Sequence, residues 1–181
     1  MLGKNLQFLV NNPALLIYQP VYIYSVCHVM RYFCVLLLDR FPEVAELVNV
    51  CWLEINGVIN TIVLSPNTQY AAYVVFKMID ASGFLNHSAD LSVGVEGGQS
   101  STKTVCLVPN VEGWQQLHNR LVELQRPSVR SDGWLEIEMG EFFNSGIEND
   151  KVQMNLIQTR GGNWKRGLFL EGIEVRPKYN N

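Results

Sequence analysis

The residues best suited to hold a polar ligand lie in Arg130-Ser-Asp-Gly-Trp-Leu-Glu-Ile-Glu-Met-Gly-Glu-Phe-Phe-Asn144. Arg130 to Gly133 reads as a turn punctuated by Asp132-Gly133. The pattern then alternates. Successive strand side chains point to opposite faces, so Leu135, Ile137 and Met139 share one face and Trp134, Glu136 and Glu138 the other. The first set is a core face. The second sets a flat aromatic beside two carboxylates, with Arg130 and Asp132 at the adjoining turn. Such a surface is either solvated or holds a ligand with one apolar face and many hydroxyls. A sugar is such a ligand: its ring C–H groups stack on indole and its hydroxyls donate to carboxylates, a charge-assisted bond stronger than a neutral one. A glycosidase using Glu136 and Glu138 is the enzymatic alternative. Two residues apart on a strand, they stand roughly 7 Å from each other, a separation that inverting enzymes use. Both point the same way from one strand, however, rather than from opposite walls of a cleft.

Cys51-Trp-Leu-Glu-Ile-Asn56 repeats the Trp-Leu-Glu-Ile core, again with Trp52, Glu54 and Asn56 opposite Leu53 and Ile55. Four residues are too few for a repeat architecture. Other motifs carry less. His87, Ser88 and Asp90 are too close in sequence to assemble as a triad, and no Gly-x-Ser-x-Gly elbow is present. Gly94 to Gly98 is glycine-rich without the following Gly-Lys-Ser/Thr of a phosphate loop. His118 has no partner at metal-ligand spacing. No cofactor is expected.

Of 181 residues, 48% are hydrophobic and the formal net charge is −3. That suits one domain with a sizeable core and gives no basic patch for nucleic acid. Cys27, Cys34, Cys51 and Cys106 match no zinc spacing, and no Cys-x-x-Cys occurs. Free thiols in a reducing compartment are expected, and Asn86-His-Ser88 matters as a glycosylation acceptor only in a secreted chain.

The elements that position the candidate face are mostly short strands. Val50 to Thr61 reads as one bent strand or as a pair turning at Asn56-Gly57. Tyr70 to Met78, apolar on both faces, reads as a central strand. Leu91 to Val95 and Lys103 to Val108 follow, with Asp80 to Asp90 a loop between. Lys151 to Gln158 alternates with Val152, Met154 and Leu156 inward and Gln153, Asn155 and Gln158 mostly outward. Trp164 to Arg176 is the last strand region, with a bulge at Gly172. Gly140 to Asp150 reads as a loop anchored by Phe142 or Phe143. Helical spacing predicts a short helix over Phe41 to Asn49, after Pro42, and weakly another through Trp114, Leu117, Leu121 and Leu124. Strands separated by Gly, Pro, Asn and Asp turns predict an all-β antiparallel, jelly-roll-like sandwich with short helical insertions.

Residues 1–40 form an atypical apolar segment. Ala14 to Leu38 is long enough for a membrane span, but His28 and Arg31 fall inside it, where a central charge costs about 2.5–3.5 kcal/mol. Pro13 and Pro20 and the lack of a clear cleavage site also make it a poor secretory signal. A strand such as Val21 to Val26 or an alternative start fits better.

Several runs resemble plant phloem-protein-2-type lectins of the tobacco-agglutinin kind, close to the F-box branch. They are Phe41-Pro-Glu-Val-Ala-Glu-Leu47, Cys51 to Gly57, Leu64-Ser-Pro-Asn-Thr-Gln-Tyr-Ala-Ala-Tyr-Val-Val-Phe-Lys77, Arg130 to Asn144, Gly162-Asn-Trp-Lys-Arg-Gly-Leu168 and Gly172-Ile-Glu-Val-Arg-Pro177. The resemblance spans 41–177, leaving a polar tail at 178–181. It implies a β-sandwich that binds N-acetylglucosamine oligomers or N-glycans without catalysis, in the cytoplasm and nucleus. The implied partners are glycans or glycoproteins and, by family analogy, ubiquitin-ligase components; a homodimer is compatible. The sequence departs from the family at its start, where typical members carry tryptophans assigned to sugar binding. Here none precedes Trp52 and no F-box is readable upstream, which favours an alternative: an interaction domain impaired in sugar binding, or the remnant of an F-box receptor.

Overall fold

The computed structural model describes residues 5–6, 8–10, 21–24, 31–33, 44–85, 87–109 and 124–178. In chain order the strands are β1 (Asn5–Leu6), β2 (Phe8–Val10), β3 (Val21–Tyr24), β4 (Arg31–Phe33), β5 (Val44–Leu47), β6 (Leu53–Asn60), β7 (Thr68–Ser82), β8 (Ala89–Val95), β9 (Ser100–Val105), β10 (Ser128–Val129), β11 (Leu135–Asn144), β12 (Lys151–Gln158) and β13 (Arg166–Pro177). One sheet runs β1-β3-β6-β12-β8-β9, the other β10-β11-β7-β13-β5-β4, with β2 parallel to β13 at Ile173 to Val175. From β5 to β8 each strand crosses to the other sheet, the habit of a jelly roll. The fold is thus the expected all-β antiparallel sandwich.

Alternation explains why these segments are strands. Leu53, Ile55 and Ile59 of β6 and Val152, Met154 and Leu156 of β12 point inward. They meet Tyr70, Ala72, Val74 and Phe76 of β7 and Leu168, Leu170, Ile173 and Val175 of β13 in one continuous core. Each Val, Leu, Ile, Phe or Met among them contributes roughly 1.5–3 kcal/mol by leaving water. β7 is central, between β11 and β13, and its outward Ala71 and Val75 are buried too.

Several expectations are corrected. Where a helix was expected, Val44–Leu47 is a strand pairing with both β4 and β13; the open sheet edge outweighs a weak local helical spacing. Asn56-Gly57 makes no turn. Both residues sit mid-strand, opposite Asn155 and Met154, because partners on both sides hold β6 straight. Gly140 to Asp150 is not all loop: β11 runs to Asn144, past an irregularity between Glu138 and Gly140. Phe142 is buried and Phe143 exposed. Buried Asn144 ends the strand as a clamp, donating from Nδ2 to the carbonyls of Thr61, Leu64 and Ser65. β7 continues to Ser82, shortening the following loop, and β9 covers 100–105. Gln158 is buried rather than outward, donating to the His87 carbonyl at 3.1 Å. The bulge at Gly172 is present. Among the described residues the helical insertions reduce to one 3-10 turn, Thr61–Val63. The helix expected near Trp114, and His118, lie outside them.

Of the first forty residues, β3 pairs with β6 from Val21↔Gly57 to Tyr24↔Glu54, in line with a strand beginning at Val21. Among the described residues, no helix is long and apolar enough to cross a membrane. Cys51 and Cys106 are free thiols; Cys27 and Cys34 lie outside the described residues.

Candidate functional site

The turn before β11 forms as its residue types dictate. Gly133 takes φ +80, a region where a Cβ is penalised, and its N–H donates to the Arg130 carbonyl at 3.0 Å. Asp132 accepts from the Trp134 N–H at 3.1 Å, the local side-chain bond that makes aspartate a turn residue. Arg130, Asp132, Trp134, Glu136 and Glu138 are brought together on the outer side of the β11/β7/β13 sheet, but not as an open aromatic platform.

Trp134 is only 3% exposed. It packs with Val44, Val75 and Phe169 in a small cluster of its own, and the Lys77 ammonium stands 4.2 Å from its ring centre. The alternation was right about the face, yet neighbouring strands cover the indole. Its Nε1 meets no acceptor among the described residues.

Glu136 is engaged as well. Arg176 reaches its Oε2 at 2.6 Å and also binds Glu174, while Arg130 binds Glu174 at 3.0 Å and lies 3.6 Å from Glu136. The Glu174 side chain is 2% exposed. Two carboxylates and two guanidiniums thus compensate one another where an isolated charge would be costly. Burial alone would pull Arg176 down, but its bonds to Glu136 and Glu174 overcome that and raise it above its ordinary range. The Arg176 guanidinium also lies over the Tyr73 ring, 4.4 Å from its centre.

The more open part lies beyond this network. Glu138 accepts from the Tyr73 hydroxyl at 3.4 Å and sits 3.8 Å from Lys103 and 3.7 Å from Lys178. Burial, then the charge of Glu138, pushes the Tyr73 hydroxyl up. Burial draws the Lys103 ammonium down, against the pull of Glu138. This rim offers donors and an acceptor to a hydroxyl-rich ligand. It holds no carboxylate pair across a cleft, and among the described residues no group of three or more His, Cys, Asp or Glu could hold a metal ion.

A second concentration of aromatic and polar groups lies at the loop end of the sandwich, where Trp52, already placed on a polar face by alternation, is joined by Trp164, which alternation did not single out. Trp52 is 45% and Trp164 54% exposed. Val50 and Lys165 exchange backbone hydrogen bonds of 2.9 and 2.6 Å. Lys165, fully buried, donates from Nζ to the carbonyls of Cys51 and Asn163 at 2.7 and 3.1 Å. Burial draws its ammonium below the usual range. Asn163 Nδ2 lies 2.5 Å from His87 Nε2. A tryptophan inside a polar turn, Gly162-Asn-Trp-Lys-Arg166, was the available signal.

Solved structures of low similarity include TmCBM61 in complex with β-1,4-galactotriose, at 11% identity and TM-score 0.46 over 88% of this chain and 89% of that one. The CBM22-1 xylan-binding domain from Paenibacillus barcinonensis Xyn10C stands at 10% and 0.43, over 99% and 95%. Among curated proteins, F-box protein PP2-B10 of Arabidopsis thaliana is 43% identical over 142 residues, covering 77% of this chain and 50% of that protein. Putative F-box protein PP2-B8 of the same plant is 40% identical over 144 residues, 76% and 47% of the two chains. The chain therefore spans about half the length of these relatives. The model of the family Phloem protein 2 matches residues 26–177, beginning ahead of Phe41. The domain is of a non-catalytic, lectin-like kind, and the chain belongs to the phloem protein 2 family.

Proposed function

We propose that the chain is a carbohydrate-binding domain for N-acetylglucosamine oligomers or N-glycans, acting in the cytoplasm and nucleus. The observation that carries the reading is the rim of Glu138, Tyr73, Lys103 and Lys178 on a phloem protein 2 domain. It sets an anionic acceptor among cationic donors, half open to water, beside a network that fixes the strand face behind it. Glu138 and Asp132 accept sugar hydroxyls. Arg130 and Glu136 hold the face in shape, and Trp134 supports it from beneath rather than stacking on the ring.

A glycan array on the purified chain, followed by titration with chitotriose, tests this. Retention of N-acetylglucosamine glycans is expected, and Glu138→Gln should weaken binding about tenfold, roughly 1.4 kcal/mol. No binding up to millimolar sugar removes the reading. A second reading then takes over, favoured by the F-box names of longer relatives of which the matched region is about half: an interaction domain that presents targets to a ubiquitin ligase. Co-purification with ligase components, unaffected by sugar, is its signature.

A further inference from the structure

Three loops converge at one end of the sandwich: those joining β5 to β6, β7 to β8 and β12 to β13. We propose that this end is an aromatic sugar subsite, in which Trp52 and Trp164 stack on pyranose rings while Asn163, His87 and Arg160 bind hydroxyls. The inference rests on the carbohydrate-binding reading above and gives it a site away from the β11 face.

The loops are held rigid where the tryptophans need it. The Lys165 ammonium grips the carbonyls of Cys51 and Asn163, which are the residues immediately before Trp52 and Trp164. Cys51 Sγ donates to the Gly162 carbonyl at 3.2 Å, and the Val50–Lys165 backbone pair closes the joint. An ammonium removed from water is costly unless hydrogen-bonded. Here that bonding is spent on fixing two indole-bearing loops to each other. The third loop locks against them. A Cβ on Gly83 would stand 2.1 Å from the Trp164 carbonyl oxygen, and one on Gly161 would stand 2.2 Å from the His87 ring.

Against this rigid frame both indoles stay open to solvent. An indole has only two side-chain torsions to lose, and the loop backbone that carries each one is already ordered, so stacking on them costs little entropy. The chemistry around them favours a sugar over a protein partner. Asn163 and His87 lie in contact, and Arg160 is tied to Asp90 at 3.2 Å. The loops that carry the two exposed indoles thus carry hydrogen-bonding groups as well. A pyranose needs that pairing, because its ring face is C–H and its edge is hydroxyl.

The test is a chitotriose titration of the whole chain, read by calorimetry and by tryptophan fluorescence. Trp52→Ala and Trp164→Ala should each weaken binding about tenfold or more with the thermal midpoint unchanged, and Trp164→Phe should recover part of the loss. Binding by wild type should shift the emission of an exposed tryptophan, and Trp164→Ala should diminish that shift. If wild type binds, both alanine variants bind equally well and Glu138→Gln does not, the loop-end inference is overturned while the carbohydrate reading stands. If wild type binds no chitotriose, the reading and the inference fall together. Sedimentation showing a dimer that either tryptophan variant dissociates, with sugar affinity intact, assigns this end to a second copy and overturns the inference as well.

Discussion

Trp52-Leu-Glu-Ile55 and Trp134-Leu-Glu-Ile137 are the same four residues, and the fold treats them differently. Leucine and isoleucine are buried in both. Trp52 is 45% exposed and Trp134 3%. Both tryptophans stand just ahead of their strands, so the difference lies in what flanks them. Trp134 has β7 alongside, supplying Val75 and the Lys77 ammonium, and Phe169 of β13 and Val44 of β5, further along the same sheet, complete the cluster. Trp52 sits at the loop end, where the neighbouring chain offers backbone and polar groups. The glutamates part company in the same way: Glu136 is drawn into the Arg130–Arg176 network, while Glu54 lies beside Asn56 on the partly exposed face of β6. One motif thus serves as structure in one sheet and leaves an accessible aromatic at the loop end of the other.

The contrast is sharpest at the indoles. Trp134→Ala should destabilise the domain by about 3–5 kcal/mol, the range for deleting a buried large aromatic. Trp52→Ala should stay within ~0.5 kcal/mol, as for an exposed side chain. Urea denaturation of both variants measures this, and equal losses would erase the distinction.

The glutamates should differ less. Glu136→Ala removes charge-assisted bonds to a guanidinium and should cost about 1.5–3 kcal/mol. Glu54→Ala should be nearly neutral, within ~0.5 kcal/mol. A double-mutant cycle of Glu136 with Arg176 should return a coupling; its absence would mean that the network is not holding this face.

The smallest effect concerns Glu141 at the outer rim, which binds Lys178. Its hydrogen bond to Lys178 holds its carboxyl below the ordinary 4.5. A folded value below the unfolded one means that the pair's stabilisation is present above about pH 4.5 and fades as pH falls through the folded value. NMR titration should show Glu141 low in wild type and back near its ordinary range in Lys178→Ala. An unchanged titration in the variant would remove the pair from the account.

The amino-acid sequence by itself determined the fold class, the strand faces and the family. Period-two alternation over Leu53 to Asn60 and Lys151 to Gln158 leaves one way to bury the apolar set, and the motifs from Leu64 to Lys77 and Arg130 to Asn144 are long enough to mark a phloem protein 2 domain. Tertiary structure decided whatever depends on neighbours distant in sequence. Val44–Leu47 became a strand because β4 and β13 were there to pair with it. Asn56-Gly57 stayed extended because β3 and β12 hold it from both sides. Gln158 lies on the inward face by the same alternation as Val152, Met154 and Leu156, and what tertiary structure supplied was the His87 carbonyl that accepts from its amide there. Whether a tryptophan on a polar face is covered or left open is set by which strands lie beside it, and alternation within one strand carries no record of that.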